Sequence, residues 1–407
     1  MNSVHRPPLR LRFQLIALTL CRTVLNTSHR MVYPFLPAFA RGLGVPLESL
    51  TLMVTARSAA AFFSPFIASF SDRRGRRAAM LASMLLFTAA MALVSLWPTY
   101  LGLFVGVLLA LIAKTLFDPA TQAFLGDRVP YARRGLAVAL SEVSWSAAYL
   151  IGIPALGWLI ARSGWNAPFL SLALLGAGSV LLIRLALPGS SSATASGPVR
   201  AVVQMGSERG GVKLVYELLR RLLARPSALA TVIIGVFISL ANENVNIVYG
   251  VWMESAFGLQ VAALAAATAV IGLSELAGEG LVAWLSDTLG KRTALFGGLI
   301  LSAAACLALP LMARNLTFAL IGLFFYYITF EFTVVAILPL LTEQMPEARA
   351  TFLATNAASH ASGRVLGALL GPWLFQHGFL WNGLAGVVFN LAGGLLLVAL
   401  VKEPITI

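Results

Sequence analysis

Charge is scarce in this chain. Asp, Glu, Lys and Arg make up 11% of its 407 residues while 59% are hydrophobic, whereas a soluble globular domain is about one quarter charged. So few charges cannot dress a water-facing surface of this size, which excludes an ordinary soluble protein and leaves lipid as the main solvent. Cysteine is scarcer still: Cys21 and Cys306 fall in different apolar runs, which excludes a disulfide framework and a thiolate metal site. The four histidines, His5, His29, His360 and His377, are scattered. No His-Glu-x-x-His or Gly-x-Ser-x-Gly pattern occurs, so neither a metal nor a hydrolytic centre is expected. Nor is there a Gly-x-x-x-x-Gly-Lys-Ser/Thr loop, which removes a nucleotide-driven motor. The chain is expected to be no enzyme.

Long apolar runs are what the chain has in abundance. Counting stretches of about 20 residues that could span a hydrocarbon core gives twelve: 12 to 39, 47 to 70, 78 to 97, 100 to 126, 136 to 161 and 166 to 187, then 228 to 256, 261 to 285, 293 to 312, 315 to 342, 350 to 376 and 380 to 401. Arg6, Arg10 and Arg12 before the first run imitate a signal peptide, and Leu18-Thr19-Leu20-Cys21 imitates a lipoprotein cleavage box. The run, however, continues past Arg22 and His29 to Phe39, too long for a signal core, and Leu20 is bulky where a small residue is needed.

The net charge of +13 would suit a nucleic-acid binder, but its placement does not. With both termini cytoplasmic, only Arg41, Arg162 and Arg314 fall on the opposite side, five bases lie inside spans, and the rest cluster on the cytoplasmic side. This positive-inside bias predicts a multi-pass inner-membrane protein with both termini in the cytoplasm. Six spans lie on each side of a hydrophilic middle, giving expected bundles at 1-187 and 227-407 around a linker at 188-226. Gly189 to Gly211 reads as flexible. Lys213 to Arg225 reads as an amphipathic helix on the anionic leaflet, with a solvated connector as the alternative.

One charged stretch repeats. Ser71-Asp72-Arg73-Arg74-Gly75-Arg76-Arg77 returns as Ser286-Asp287-Thr288-Leu289-Gly290-Lys291-Arg292, 215 residues on. Asp127 to Arg133 returns as Glu343 to Arg349, Val32-Tyr33 as Val248-Tyr249, and Gly157 with Gly164 as Gly371 with Gly378, all within two residues of the same offset. An offset of six spans preserves orientation, so the halves are parallel repeats. The pattern of Asp72, Arg73, Gly75, Arg76 and Arg77 resembles the Gly-x-x-x-Asp-Arg-x-Gly-Arg-Arg signature of the major facilitator superfamily of secondary transporters, with Ala68 in place of the leading Gly. The resemblance implies an all-α membrane protein of twelve helices in two six-helix bundles, alternating access to a central cavity, and no cofactor beyond a proton or other ion gradient. It further implies a cytoplasmic gate in which the motif's acid meets a helix dipole and one of its arginines meets Asp127, mirrored by Asp287, Gly290, Lys291, Arg292 and Glu343. A fainter likeness to drug:proton antiporters rests on Pro154 and Gly157 in the fifth span. The embedded Arg those antiporters carry in the fourth span is missing, Val107 standing nearest its place.

Ionisable residues inside spans are costly and mark function. In the first span Arg22, Asn26, His29 and Tyr33 form one stripe, with Arg30 beside it; the seventh repeats it with Asn242, Asn246 and Tyr249, and Glu243 alongside. The fourth span offers Lys114 and Asp118 and the tenth Tyr327 and Glu331, each pair at i, i+4; the second holds Arg57, and the eleventh Asn356, His360 and Arg364. In this family spans one, four, seven and ten line the cavity, so these residues are expected to line it. Glu275 and Glu279 in the eighth span share a face. Two carboxylates that close resist ionising together, making them, with Glu243 and Glu331, candidates for carrying a proton. The first half's bases and the second half's acids suggest ion pairs between the halves, while Glu142 and Arg184 are expected near the cytoplasmic interface.

The function expected is proton-coupled efflux of an amphipathic or drug-like solute by antiport, working as a monomer in the bilayer and binding no nucleic acid. The alternative is uptake or flipping of an anionic solute or lipid drawn to Arg22, Arg30, Arg57 and Lys114. A membrane sensor that transports nothing, or a membrane enzyme, is more remote.

Overall fold

Backbone polar groups inside a bilayer must be satisfied within their own segment, which leaves helices for a chain of this composition. The computed structural model describes residues 9 to 63, 75 to 129, 134 to 187, 225 to 344 and 349 to 401, and among them there is no strand. The α-helices are α1 Leu9–Arg30, α2 Val32–Leu43, α3 Leu47–Ala60, α4 Arg76–Leu96, α5 Tyr100–Arg128, α6 Arg134–Ala147, α7 Ile153–Ser163 and α8 Ala167–Ala186. In the second half they are α9 Pro226–Asn246, α10 Tyr249–Phe257, α11 Val261–Ala267, α12 Ala269–Leu289, α13 Lys291–Met312, α14 Leu316–Gln344, α15 Arg349–Phe375 and α16 Phe379–Leu400. Among the described residues nine spans are long and apolar enough to cross a membrane. The other three expected spans differ for physical reasons. The first is diluted by Arg22, Asn26, His29 and Arg30 in α1, and it also breaks at Met31, just before Pro34, whose ring lacks the N–H that would bond the Arg30 carbonyl. The second runs out of the described residues after Phe63, and the eleventh, α15, is diluted by Asn356, His360 and Arg364.

The repeat is written in the backbone. All six glycines at positive φ among the described residues fall into three pairs at the repeat offset: Gly44 and Gly258 (66° and 63°), Gly75 and Gly290 (89° and 80°), and Gly164 and Gly378 (86° and 110°). Only glycine takes such angles without strain, so the same turns bound corresponding helices in both halves. Helices α5 and α14 are both 29 residues long. Each is capped by the residue before it: Thr99 Oγ1 accepts from the Gly102 N–H at 3.1 Å, and Asn315 Oδ1 from that of Phe318 at 3.0 Å. The α1/α2 break at Met31 is matched by the α9/α10 break at Ile247 and Val248.

The chain divides into two compact units, one of Met1–Gly44, Phe63–Thr194 and Val261–Gly272, the other of Val45–Phe62, Ala195–Gln260 and Leu273–Ile407. In the first, α4 packs on α5 and α8, α1 on α6, and α11 on α7. Phe39, Trp165 and Phe169 meet ring to ring within 6.2 Å and tie α2 to α8. Between α6 and α7 the helix widens into a π turn, Ala148–Gly152, where bare Gly152 admits Thr27 of α1.

In the second unit the largest helix contact is α9 on α15. Ser359, Gly363, Gly367 and Gly371 recur every fourth residue of α15. A side chain at Gly363, Gly367 or Gly371 would strike the backbone of α9 at Val236, Leu240 or Asn244 respectively. Without a hydrophobic drive between helices in lipid, such small-residue stripes are what allow tight packing. Ile234, Ile238, Leu295, Leu299, Ile337 and Leu397 fill the core between α9, α13, α14 and α16. The broken end of α9 is held by Asn382 of α16, whose Nδ2 donates to the Asn244 carbonyl at 3.1 Å and to the Gly371 carbonyl at 2.9 Å.

Candidate functional site

The first unit buries a connected ionic network on α1, α5 and α6. Arg22 is 4% exposed; its Nε meets Asp118 Oδ1 at 3.1 Å and its Nη1 meets Glu142 Oε1 at 2.7 Å. The same Nη1 donates to Ser141 Oγ at 3.0 Å. Lys114 Nζ bridges the other Asp118 oxygen at 2.7 Å and Asn26 Oδ1 at 2.5 Å, and Asn26 passes the chain to Ser144 at 3.0 Å. The i, i+4 spacing of Lys114 and Asp118 therefore does make a pair, and the first-span stripe supplies Arg22 and Asn26 to it. Pro119, directly after Asp118, removes the backbone bond to the Thr115 carbonyl in the middle of α5.

Aromatic rings close one side of this network. The Arg30 guanidinium lies 4.5 Å from the Trp145 ring centre and 4.4 Å from that of Tyr149, Lys114 Nζ lies 4.2 Å from Trp145, and His29 meets Trp145 edge-on at 6.1 Å. Such cation–π contacts favour keeping a base where water is excluded. Tyr149 sits in the π turn, a deviation that recurs at functional sites.

Two expectations change here. Glu142 does not simply rest at an interface: it takes Arg22 as partner, although its side chain remains 28% exposed. Arg22 and Lys114 have carboxylate partners within the first half, Asp118 and Glu142, so for these two bases pairing does not depend on the second half. Ser141, Ser144, Trp145 and Tyr149 were not anticipated. Their signal was a polar and aromatic stripe of period three to four along the fifth span, Ser141, Ser144, Trp145, Tyr149, which passes for ordinary core.

The second unit sets out its polar groups differently. Tyr327 of α14 donates to Asn246 Oδ1 at 2.9 Å, and Tyr326 reaches the Ala241 and Asn242 carbonyls at 3.2 and 3.3 Å. Glu243 is buried where α9 meets bare Gly367. His360 Nδ1 lies 2.6 Å from Ser239 Oγ, placing His360 on the α9/α15 seam with buried Asn356 and Ser359. Arg57 on α3 is buried in the same unit, where α3 packs on α15, the helix that carries Arg364. Tyr33 and Tyr249, the repeat mates, are both buried at the starts of α2 and α10. Glu275 is buried on α12, and Gly278 between Glu275 and Glu279 admits the stem of Glu331, whose Cβ would lie 2.8 Å from a side chain at that position. Glu331 of the tenth span is thus packed by its stem against the stretch of the eighth that carries Glu275 and Glu279.

Part of the charged motif lies outside the described residues: Asp72 and Arg73 themselves, and the side chains of Asp127, Asp287 and Glu343. Its described end is informative. Gly75 and Gly290 turn the chain into α4 and α13. Arg77 Nη2 then donates to the Arg184 carbonyl at the end of α8 at 3.0 Å, and Arg292 Nη2 donates to the Val398 carbonyl at the end of α16 at 2.9 Å.

A family model described as Major Facilitator Superfamily matches residues 18–239 and again 231–406, and the chain belongs to that family: it is a multi-pass membrane protein of the twelve-helix, all-α transporter fold. It is 24% identical to the inner membrane transport protein YdhP of Escherichia coli (strain K12), covering 98% of this chain and 99% of that one. It is 22% identical to the uncharacterized MFS-type transporter YceJ of Bacillus subtilis (strain 168), covering 91% and 92%. Among solved structures it resembles a peptide transporter POT (TM-score 0.76, 14% identity, 94% and 93% covered) and the xylose transporter XylE from E. coli in an inward open conformation (TM-score 0.72, 17% identity, 96% of each).

Proposed function

We propose that the protein is a proton-coupled antiporter of the inner membrane that exports an amphipathic solute by alternating access. The observation that carries this reading is which members of the first-unit network can be reached. Arg22 and Lys114 have side chains 4% and 9% exposed, whereas Asp118 and Glu142 are 21% and 28% exposed. A species arriving from the aqueous path meets carboxylates first, which suits a proton or a cationic group and counts against an anionic solute drawn to the two bases. Protonating Asp118 or Glu142 would loosen Arg22, so proton binding and rearrangement of α1 against α5 and α6 are linked. The rings of Trp145 and Tyr149 supply an apolar face for the rest of the solute.

In this reading Arg22, Asn26, His29, Arg30, Lys114 and Asp118 serve the solute path of the first bundle, and Asn242, Asn246, Tyr327 and Glu331 that of the second. The motif residues close the cytoplasmic side, both termini are cytoplasmic, and the monomer is the working unit. The similarity to an inner membrane transport protein over nearly the whole chain supports the location.

The experiment is accumulation of a panel of amphipathic fluorescent dyes, ethidium among them, in inverted vesicles with an imposed inside-acid gradient. Gradient-driven accumulation that is lost in Asp118→Asn is the expected result. Accumulation indifferent to collapse of the gradient overturns the coupling, and no accumulation of any dye overturns the amphipathic export.

A further inference from the structure

The ammonium of Lys114 sits in a pocket to which α1, α5 and α6 each contribute one group. Asp118 Oδ2 of α5 lies 2.7 Å from Nζ, Asn26 Oδ1 of α1 lies 2.5 Å away, and the Trp145 ring of α6 is centred 4.2 Å away. A carboxylate, an amide oxygen and the face of an aromatic ring make a full recognition set for an ammonium group. A static ion pair needs only the carboxylate.

Each of these groups is also held by a residue other than Lys114. Asn26 Nδ2 donates to Ser144 Oγ at 3.0 Å, which fixes the plane of its amide. The other Asp118 oxygen accepts from Arg22 Nε at 3.1 Å. Trp145 carries the Arg30 guanidinium at 4.5 Å and meets His29 edge-on. Lys114, by contrast, reaches the pocket on a flexible four-carbon stem. The chain therefore fills a pre-organised ammonium pocket with a tethered ammonium of its own.

The distances say which ammonium fits. Contacts of 2.5 and 2.7 Å admit N–H donors, whereas an N-methyl carbon needs about 3.5 Å. Charge sets the terms of exchange. Arg22 and Lys114 balance Asp118 and Glu142, to which they are paired. An added ammonium would leave one positive charge over. It can replace that of Lys114 if the lysine withdraws as the neutral amine and its proton passes to water, a change open to lysine and closed to arginine. We propose that this pocket binds the primary ammonium group of the transported solute, with Lys114 as the tethered occupant that the solute displaces. The assignment rests on reading the first-unit network as the solute site, and it makes the solute an amphipathic primary amine.

The test is binding in detergent, which needs no transport. n-Propylammonium is the part of the side chain that Lys114→Ala removes. Titrated into that variant, it should raise the melting temperature by about 2 °C at about ten times its dissociation constant. Tetramethylammonium, with the same charge and no N–H, should not. Added to wild type in weakly buffered solution, n-octylammonium should release about one proton per protein, whereas octyltrimethylammonium with wild type, or n-octylammonium with Lys114→Arg, should release none. No stabilisation of Lys114→Ala by n-propylammonium, or equal stabilisation by both cations, overturns the ammonium pocket. Wild type that releases no proton overturns the displacement, and this measurement decides the matter if Lys114→Ala does not fold. Dye accumulation indifferent to the pH gradient would overturn proton-coupled export while leaving both binding results in place.

Discussion

Arg77 donates to the Arg184 carbonyl at 3.0 Å, and 215 residues later Arg292 makes the same kind of bond to Val398 at 2.9 Å. In each half the last base of the charged motif reaches the final turn of the half's last helix, where carbonyls have no intrahelical partner and the dipole favours a cation. A positive-inside signal needs only charge; this bond also needs the length and fork of arginine. Arg77→Lys is therefore expected to keep the topology while lowering the apparent melting temperature in detergent. The exposed setting limits the loss to about 1 kcal/mol. Because Arg77 and Arg292 share no partner, the double Lys variant should lose the sum of the two single effects. Unchanged melting in both single variants would return the motif to a topology signal.

The buried network of the first unit makes a graded prediction. Asp118 serves both Arg22 and Lys114, whereas Glu142 serves Arg22, which keeps Asp118 if Glu142 is lost. Removing one partner of a buried pair costs about 3–5 kcal/mol when it leaves a charge uncompensated. Asp118→Asn should approach that range, and Glu142→Gln, at a more open carboxylate, should cost clearly less. The combination Arg22→Gln with Glu142→Gln should cost less than the two alone, since each removes the other's stranded charge. Thermal unfolding of the four variants in one detergent decides the order, and a Glu142→Gln loss equal to that of Asp118→Asn would contradict it.

How far the sequence reached can be judged residue by residue. The spans and their duplication were legible because lipid imposes one secondary structure and charge marks its ends; the three glycine pairs at positive φ carry the same duplication into the backbone. The Lys114 and Asp118 pair was legible because i, i+4 spacing is local. Glu142 meeting Arg22, 120 residues away, was not, since it depends on how α6 crosses α1. The small-residue stripe of α15 was not read from the sequence, and spacing alone would not have named its partner, since only the fold brings α9 to it. The break in the first span has a proline to announce it, whereas the matching break at Ile247 has none and is supported from outside by Asn382.

The α9/α15 contact predicts opposite outcomes for two glycine substitutions. A Cβ at Gly367 would come within 2.7 Å of Glu243 Cβ and 3.0 Å of the Asn244 nitrogen, whereas one at Gly280 meets nothing within 4 Å. Gly367→Ala is expected to cost about 1–3 kcal/mol through overpacking. Gly280→Ala, exposed on α12, should be neutral or should stabilise by up to about 1 kcal/mol through helix propensity. Melting temperatures measured side by side would expose an error if the two variants moved together.

The acids around Gly278 give the last prediction. Glu331 is admitted to α12 by the absence of a side chain at Gly278, in the stretch that also carries Glu275 and Glu279. An ionised carboxylate inside a span is costly, which makes this stretch a candidate for holding a proton. If this contact carries the coupled proton, Glu331→Gln should abolish dye accumulation driven by the pH gradient while leaving dye exchange down a concentration gradient intact, because the amide fixes the neutral form without changing shape. Gly278→Ala should produce a milder version of the same split by pushing Glu331 away, and restoring space with Glu331→Asp should return part of the driven transport. Measuring driven and passive exchange in the same proteoliposomes separates coupling from damage: equal loss of both in Glu331→Gln assigns the residue to structure, and loss of neither removes this contact from the proton path.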